Sequence, residues 1–493
     1  MSLPINPNSP FARRRAGILL HPTSLPGAGD CGELGAEAFR FVDFLASAGI
    51  SVWQMLPLGP THADRSPYQC TSVHAGNPQL ISLQRLMEWG WLGAGGLDMP
   101  CGNDWRCNQL CAAYAGFQGV ATAAERAEYA DFRTTHAAWL NDFALYEALR
   151  AEHQGRGWFD WHQPLRDRKA AALDDARHRC AVMIEQLCFN QFVFFRQWHD
   201  LRDYANERGV LLFGDVPIFV AYDSAEVWAQ REYFRVDAAG RLEVVAGVPP
   251  DYFSATGQRW GNPHYHWERI EADGFRWWIE RMRTQRELFD LIRIDHFRGF
   301  EAHWEIPSSA ETAIDGCWVK APGERLFQAL LDSLHALPLV AEDLGIITPE
   351  VDALRLRFGL PGMKILQFAF GGDASNPYLP HHHECLSVAY TGTHDNDTTL
   401  GWYQSLDDAT RTHLHEYLYL PTEPMPWPLI RAALASVAVL AIIPLQDALA
   451  LDSEHRMNTP GVAEGNWRWR FTWEQMPVGL DERLRQLLQL YGR

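Results

Sequence analysis

LIRIDHFRGF, residues Leu291–Phe300, opens on a short apolar run and stops on a carboxylate, Asp295. LVAEDLG at Leu339–Gly345 does the same and stops on Glu342, and VAYTGTHDND at Val388–Asp397 leads into Asp395. A charge at the end of a buried strand is costly unless partners meet it there. Three such strand ends in one chain predict a single acid-lined mouth at the carboxyl ends of parallel strands, as in a β/α barrel.

Working outward, eight short apolar runs bounded by turn residues read as buried parallel strands: residues 16–21, 51–56, 210–217, 291–295, 338–342, 363–368, 387–390 and 437–445. Helical patterns lie between most of them. Ala36–Ala48 is one, closed by Gly49, and Phe275–Leu291 is another. The expected fold is therefore a (β/α)8 TIM barrel spanning 1–493 as one catalytic unit. The spacing is uneven. Residues 60–209 are too long for a loop and carry helical patterns over Ala123–Leu149 and Arg166–Gly209, so they predict an inserted, largely helical subdomain between strands two and three. Residues 220–268, rich in Tyr, Trp, Gly and Pro, follow the third strand and should fold over the mouth as a lid.

A net charge of −18 argues against nucleic acid or an anionic membrane as partner. The longest apolar run, Ala432–Leu445, is too short to span a bilayer and contains Pro444. The N-terminal residues show no signal-length apolar run, and the nine scattered Cys lack any zinc spacing, so a reducing cytoplasm is expected. Twenty Trp, many beside polar residues as in Asn466-Trp467-Arg468-Trp469-Arg470, suit stacking on sugar rings, although most read as packing.

Arg293 and Asp295 are two apart and point to the same side of their strand. A neighbouring guanidinium favours an ionised carboxylate, the form a glycosyl nucleophile needs; a purely structural pair is the competing reading. Glu342 is followed by Asp343, and burial beside another acid favours the protonated form that a general acid needs. A helix cap or metal ligand is the alternative there. If strands four and five are neighbours, the two carboxylates could face each other at the roughly 5–5.5 Å of retaining enzymes. Asp395 and His394 could bond sugar hydroxyls; with Asn396 and Asp397 they could instead hold a cation.

These motifs resemble the α-amylase superfamily, and the whole pattern resembles its amylomaltase branch, the 4-α-glucanotransferases or disproportionating enzymes. GILLHPTS (17–24), WQMLPLG (53–59), SPYQ (66–69), FGDVPIF (213–219), VPPDYFSATGQRW (248–260) and GNWRWR (465–470) extend the likeness almost end to end. The resemblance implies a barrel without a C-terminal β-domain and transfer of α-1,4-glucan segments between maltooligosaccharides through a covalent intermediate. Cyclisation of long glucans would use the same step. It implies Asp295 as nucleophile, Glu342 as acid/base and Asp395 as transition-state stabiliser. Arg293 and His394 would sit at the scissile sugar, and Tyr68, Asp215, Gln258, Trp260 and Asn466 would contact sugars around it. Asp251 would belong to a flap over the acceptor. No metal or organic cofactor is implied, and a monomer or a homodimer fits equally. An amylase-type hydrolase using water, a catalytically dead sugar-binding barrel and a metal-dependent barrel hydrolase are the competing expectations.

Overall fold

The computed structural model describes residues 9–27, 29–93, 102–250, 254–462 and 464–493. Eight parallel strands form the barrel: β1 (Arg15–Leu19), β2 (Val52–Gln54), β3 (Leu211–Val216), β4 (Leu291–Ile294), β5 (Leu339–Ala341), β6 (Gly362–Ile365), β7 (Ser387–Tyr390) and β8 (Leu440–Pro444). Their ladder runs β6–β7–β8–β1–β2–β3–β4–β5, every pair in parallel register. Each overlaps an expected apolar run, β1 and β6 beginning one residue before theirs. Among the described residues no strand follows β8.

The two-residue period of a strand divides these residues between two cores. Leu19, Val52, Phe213, Leu291, Val340, Met363, Val388 and Ile442 fill the barrel's inside. Ile18, Trp53, Leu212, Ile292, Ala341 and Ile443 face outward and pack into the larger core with the helices. Helix Ala36–Ser47 contributes Ala38, Phe41, Val42 and Leu45 at helical spacing, and its chain turns away at Gly49, whose φ is 75°. The inward set carries the chemistry. Counting by twos from Leu291 gives Arg293 and then Asp295; from Phe213 it gives Asp215; from Val340 it gives Glu342.

The barrel closes between β5 and β6 without a regular ladder. Pro361, which has no N–H, precedes β6 and interrupts it. Its carbonyl accepts the Ala341 N–H at 2.8 Å, and the Asp343 carboxylate accepts the Met363 N–H at 2.7 Å. Asp343 is also paired with Arg355 at 3.2 Å, both side chains being 8% exposed. Gly362 makes room for this seal, because a Cβ there would lie 2.1 Å from Asp343 Oδ2.

Between β2 and β3 the chain runs mainly through helices, including Gly102–Val120, Ala123–Thr135, Ala137–Glu152, Ala170–Arg179 and Ala181–Glu207. The two long helical patterns are broken at His136 and Cys180, each the C-cap of one helix and the N-cap of the next. The segment after β3 holds more regular structure than expected. Strands Val244–Val248 and Gln258–Arg259 join Ala302–Pro307 and Cys317–Lys320 in a four-stranded antiparallel sheet. This sheet therefore draws on the chain after β4 as well as after β3.

The seal gives a stability prediction. Asp343→Ala leaves Arg355 as a buried charge without that partner and the Met363 N–H without an acceptor. The cost should be about 3–5 kcal/mol. Chemical denaturation should show the loss as a lower midpoint; an unchanged midpoint would mean that the seam is held some other way.

Candidate active site

Asp215 and Arg293 are direct partners across β3 and β4. Arg293 Nη1 donates to both Asp215 oxygens, at 2.9 and 2.7 Å, while Nη2 contacts Asp295 Oδ1 at 2.9 Å. Tyr68 donates its hydroxyl to Asp215 Oδ2 at 2.8 Å. Arg293 and Asp215 are buried, whereas the Asp295 side chain is 30% exposed to the mouth. Burial works against a charged Arg293, but Asp215 and Asp295 outweigh it and hold the guanidinium charged. Burial raises the Asp215 pKa, an effect that the adjacent Arg293 offsets in part.

After β4 the backbone turns sharply. Asp295 N donates to the Val216 carbonyl at 3.0 Å, and His296 takes a left-handed conformation with φ 50°. That turn aims the His296 N–H at Glu342 Oε2, 2.7 Å away, while Leu344 N donates to Oε1 at 3.0 Å. The Glu342 carboxyl is thus fixed by two backbone donors at the end of β5. Burial, reinforced by Asp295 and opposed by Arg293, pushes it up to about 8. Asp343 is not the neighbour responsible: it faces Arg355 and the barrel seam. The acid that favours the protonated form is Asp295, on the adjacent strand.

Asp395 stands on the loop after β7, its side chain 46% exposed. His394 Nε2 lies 3.3 Å from Oδ2, and Asn458 Nδ2 donates to Oδ1 at 2.6 Å. Burial would raise its pKa, but His394, Asn458 and Arg293 hold it well below the usual carboxylate range. The His394 ring stacks on Tyr68 at 5.2 Å and 17°, and Trp467 lies 6.0 Å from both. Asn396 and Asp397 turn away from any shared cation position. Asn396 Oδ1 accepts from Thr393 N and Oγ1, and Asp397 accepts from Thr398 N and Ser453 Oγ.

Seven of the expected residues thus converge: Tyr68, Asp215, Arg293, Asp295, Glu342, His394 and Asp395. Gln258, on a strand of the antiparallel sheet, and Trp260, just after that strand, form a separate pair. Trp260 donates its indole N–H to Gln258 at 3.1 Å and meets the His296 ring edge-on at 4.9 Å. Asn466 spends its side chain on its own loop, accepting from Thr459 N at 2.9 Å and donating to the Val462 carbonyl at 2.8 Å. Asp251 lies outside the described residues. His296, Asn458 and Trp467 complete the site without having been singled out. Trp467 sits in a run already conspicuous for its rings; Asn458 carries no local signal.

The arrangement supplies a protonated carboxyl, a carboxylate pinned by a guanidinium and a third acid, around an open mouth with an aromatic wall. Such a set can protonate a leaving oxygen and attack the carbon that bears it. The raised Glu342 pKa has a measurable consequence. Unfolded, this group ionises near 4.5; folded, it keeps its proton to about 8. Between those values the native state binds more protons than the unfolded one, so this group's contribution destabilises the fold as pH rises, by at most about 1.4 kcal/mol per unit. Glu342→Gln removes that contribution. Its stability relative to wild type should climb from pH 5 to 8 and then level off; a difference flat with pH would contradict the raised pKa.

Comparison with known proteins shows the family. The family profile described as 4-alpha-glucanotransferase matches residues 20–475. The chain is 50% identical to the 4-alpha-glucanotransferase of Thermus thermophilus over 495 residues, covering 97% of this chain and 99% of that protein. It is 48% identical to that of Synechocystis over 496 residues, covering 98% of each. Among solved structures, the amylomaltase from Streptococcus agalactiae in complex with acarbose superposes with a TM-score of 0.93 at 35% identity, over 98% of this chain and 100% of that one. With acids, barrel and relatives in accord, this chain belongs to the 4-alpha-glucanotransferase family.

Proposed function

We propose that this enzyme transfers α-1,4-glucan segments between maltooligosaccharides by a retaining double displacement. The observation that carries the reading is the pairing of opposite tasks on adjacent strands: Glu342 is protonated near neutrality, while Asp295 is held by Arg293. In the first step the Asp295 carboxylate attacks the anomeric carbon. Glu342 gives its proton to the glycosidic oxygen, and the reducing-end fragment leaves. A glucosyl ester on Asp295 remains. That ester carries no charge, so one cause of the raised Glu342 pKa disappears. Glu342, having given up its proton, then stays ionised more readily and can take a proton from an acceptor hydroxyl as it attacks the same carbon. Two inversions restore the α configuration.

The remaining residues orient the sugar. Asp395 and His394 are placed to bond ring hydroxyls and favour a flattened, oxocarbenium-like ring. The Tyr68–His394–Trp467 wall offers an apolar face to a pyranose. Transfer in place of hydrolysis requires that an acceptor hydroxyl outcompete water, since both need the same base. Gln258 and Trp260, above His296, are the described lid residues suited to that task; Asp251 is assigned to it by family resemblance. Among the described residues no helix is long and apolar enough to cross a membrane.

Product analysis from maltotriose tests the reading. Transfer gives glucose together with maltopentaose and longer chains; shorter sugars alone would identify a hydrolase. Asp295→Asn should cost roughly 10⁴-fold or more in transfer rate, because a neutral amide is not a nucleophile. A near wild-type rate would show that the nucleophile is elsewhere. Tyr68→Ala should lower transfer more than hydrolysis, measured as a higher ratio of water-released glucose to transferred glucan. An equal fall in both rates would assign Tyr68 a loop-fixing role only.

A further inference from the structure

The antiparallel sheet holds a cluster that the proposed chemistry does not use. His303 and Glu305 are two apart on strand Ala302–Pro307 and so share a face. His264 returns to them on the segment after Gln258–Arg259, its carbonyl accepting the Arg235 N–H at 2.8 Å. The three side chains are almost sealed from solvent, His264 at 0% and His303 at 2% exposure. Their candidate ligand atoms lie within 4.8 Å of one another. Nδ1 of His303 is buried without a hydrogen-bond partner, an unfavourable condition for an imidazole.

We propose that His264, His303 and Glu305 form a binding site for a divalent cation of the zinc class, with a fourth position open to water. Two imidazoles and one carboxylate suit Zn²⁺, Ni²⁺ or Co²⁺ and not the all-oxygen preference of Ca²⁺ or Mg²⁺. His303 Nε2 and Glu305 Oε1 are 3.3 Å apart. That is longer than a charge-assisted hydrogen bond, commonly about 2.7–2.9 Å. It matches the edge of a tetrahedron around Zn²⁺, about 3.3 Å for metal–ligand bonds of about 2.0–2.1 Å. Arg235 contacts the same Glu305 oxygen and orients the carboxylate from outside the site.

The site is set apart from the acids but not from the lid. Phe219 meets the His264 ring edge-on at 5.2 Å and lies 6.3 Å from Trp260. A cation there would tie the strand that follows β4 to the segment that follows β3, behind the lid tryptophan.

The test is titration of the full-length protein with Co²⁺ and Zn²⁺ after treatment with chelator. Co²⁺ should give the visible d–d bands of a four-coordinate N/O site, and Zn²⁺ should displace it at one equivalent. His264→Gln and His303→Gln should each weaken Zn²⁺ binding by more than the roughly 10–100-fold that loss of an outer-sphere partner costs. The exposed pair His381–His382, whose rings lie 4.0 Å apart, is the competing surface site. His381→Ala/His382→Ala should keep the buried site's affinity and spectrum. Absence of d–d bands from the wild-type protein, or their loss in the His381/His382 variant with retention in the other two, would overturn the proposal.

Discussion

A guanidinium buried at the end of a barrel strand sets the terms for everything around it. Arg293 cannot shed its charge, so its neighbours must be acids, and the register of β3 against β4 supplies Asp215 directly opposite. The next inward position on its own strand supplies Asp295. One cation cannot neutralise every acid at this mouth. Glu342, part-buried, beside Asp295 and bonded among the described residues by backbone N–H groups, is the one left to hold a proton. The division between an attacking and a proton-donating carboxyl thus follows from where one positive charge is placed.

Much of this was legible because a strand's two-residue period is strict. Once Leu291 and Phe213 face inward, Arg293, Asp295 and Asp215 must do so as well. Apolar runs located all eight barrel strands because a parallel strand covered by helices is buried on both faces. Features built from long-range pairing were not legible. The strands Ala302–Pro307 and Cys317–Lys320 are short and carry polar residues, and Ala302–Pro307 finds one partner, Val244–Val248, before β4, so the local sequence reads as loop. Asp343 beside Glu342 suggested a mutual effect, but adjacent residues at a strand end diverge, and Asp343 turned to Arg355. The breaks at His136 and Cys180 have no Pro or Gly to announce them. Asn458 reaches Asp395 from 63 positions along the chain, a contact no spacing argument reveals.

The site also shows why the chain cannot be divided. The rigid parts, Asp215, Arg293, Asp295 and Glu342, come from consecutive strands. The aromatic wall comes from three separate loops: Tyr68 after β2, His394 after β7 and Trp467 after β8. The Asn466 side chain, by bonding Thr459 and Val462, shapes the last of these loops next to Trp467. Under the proposed reaction the barrel does the bond chemistry and the loops select what is allowed to accept the glucosyl group.

The most direct test of the central claim is to catch the covalent ester. Glu342→Gln keeps Asp295 and Arg293 but can neither protonate a sugar leaving group nor activate an acceptor. Given α-glucosyl fluoride, whose leaving group needs no acid, this variant should accumulate glucosyl-enzyme. Mass spectrometry of the intact protein should then show an added hexosyl, and peptide mapping should place it on Asp295. An adduct on any other residue, or none despite continued release of fluoride, would contradict the account.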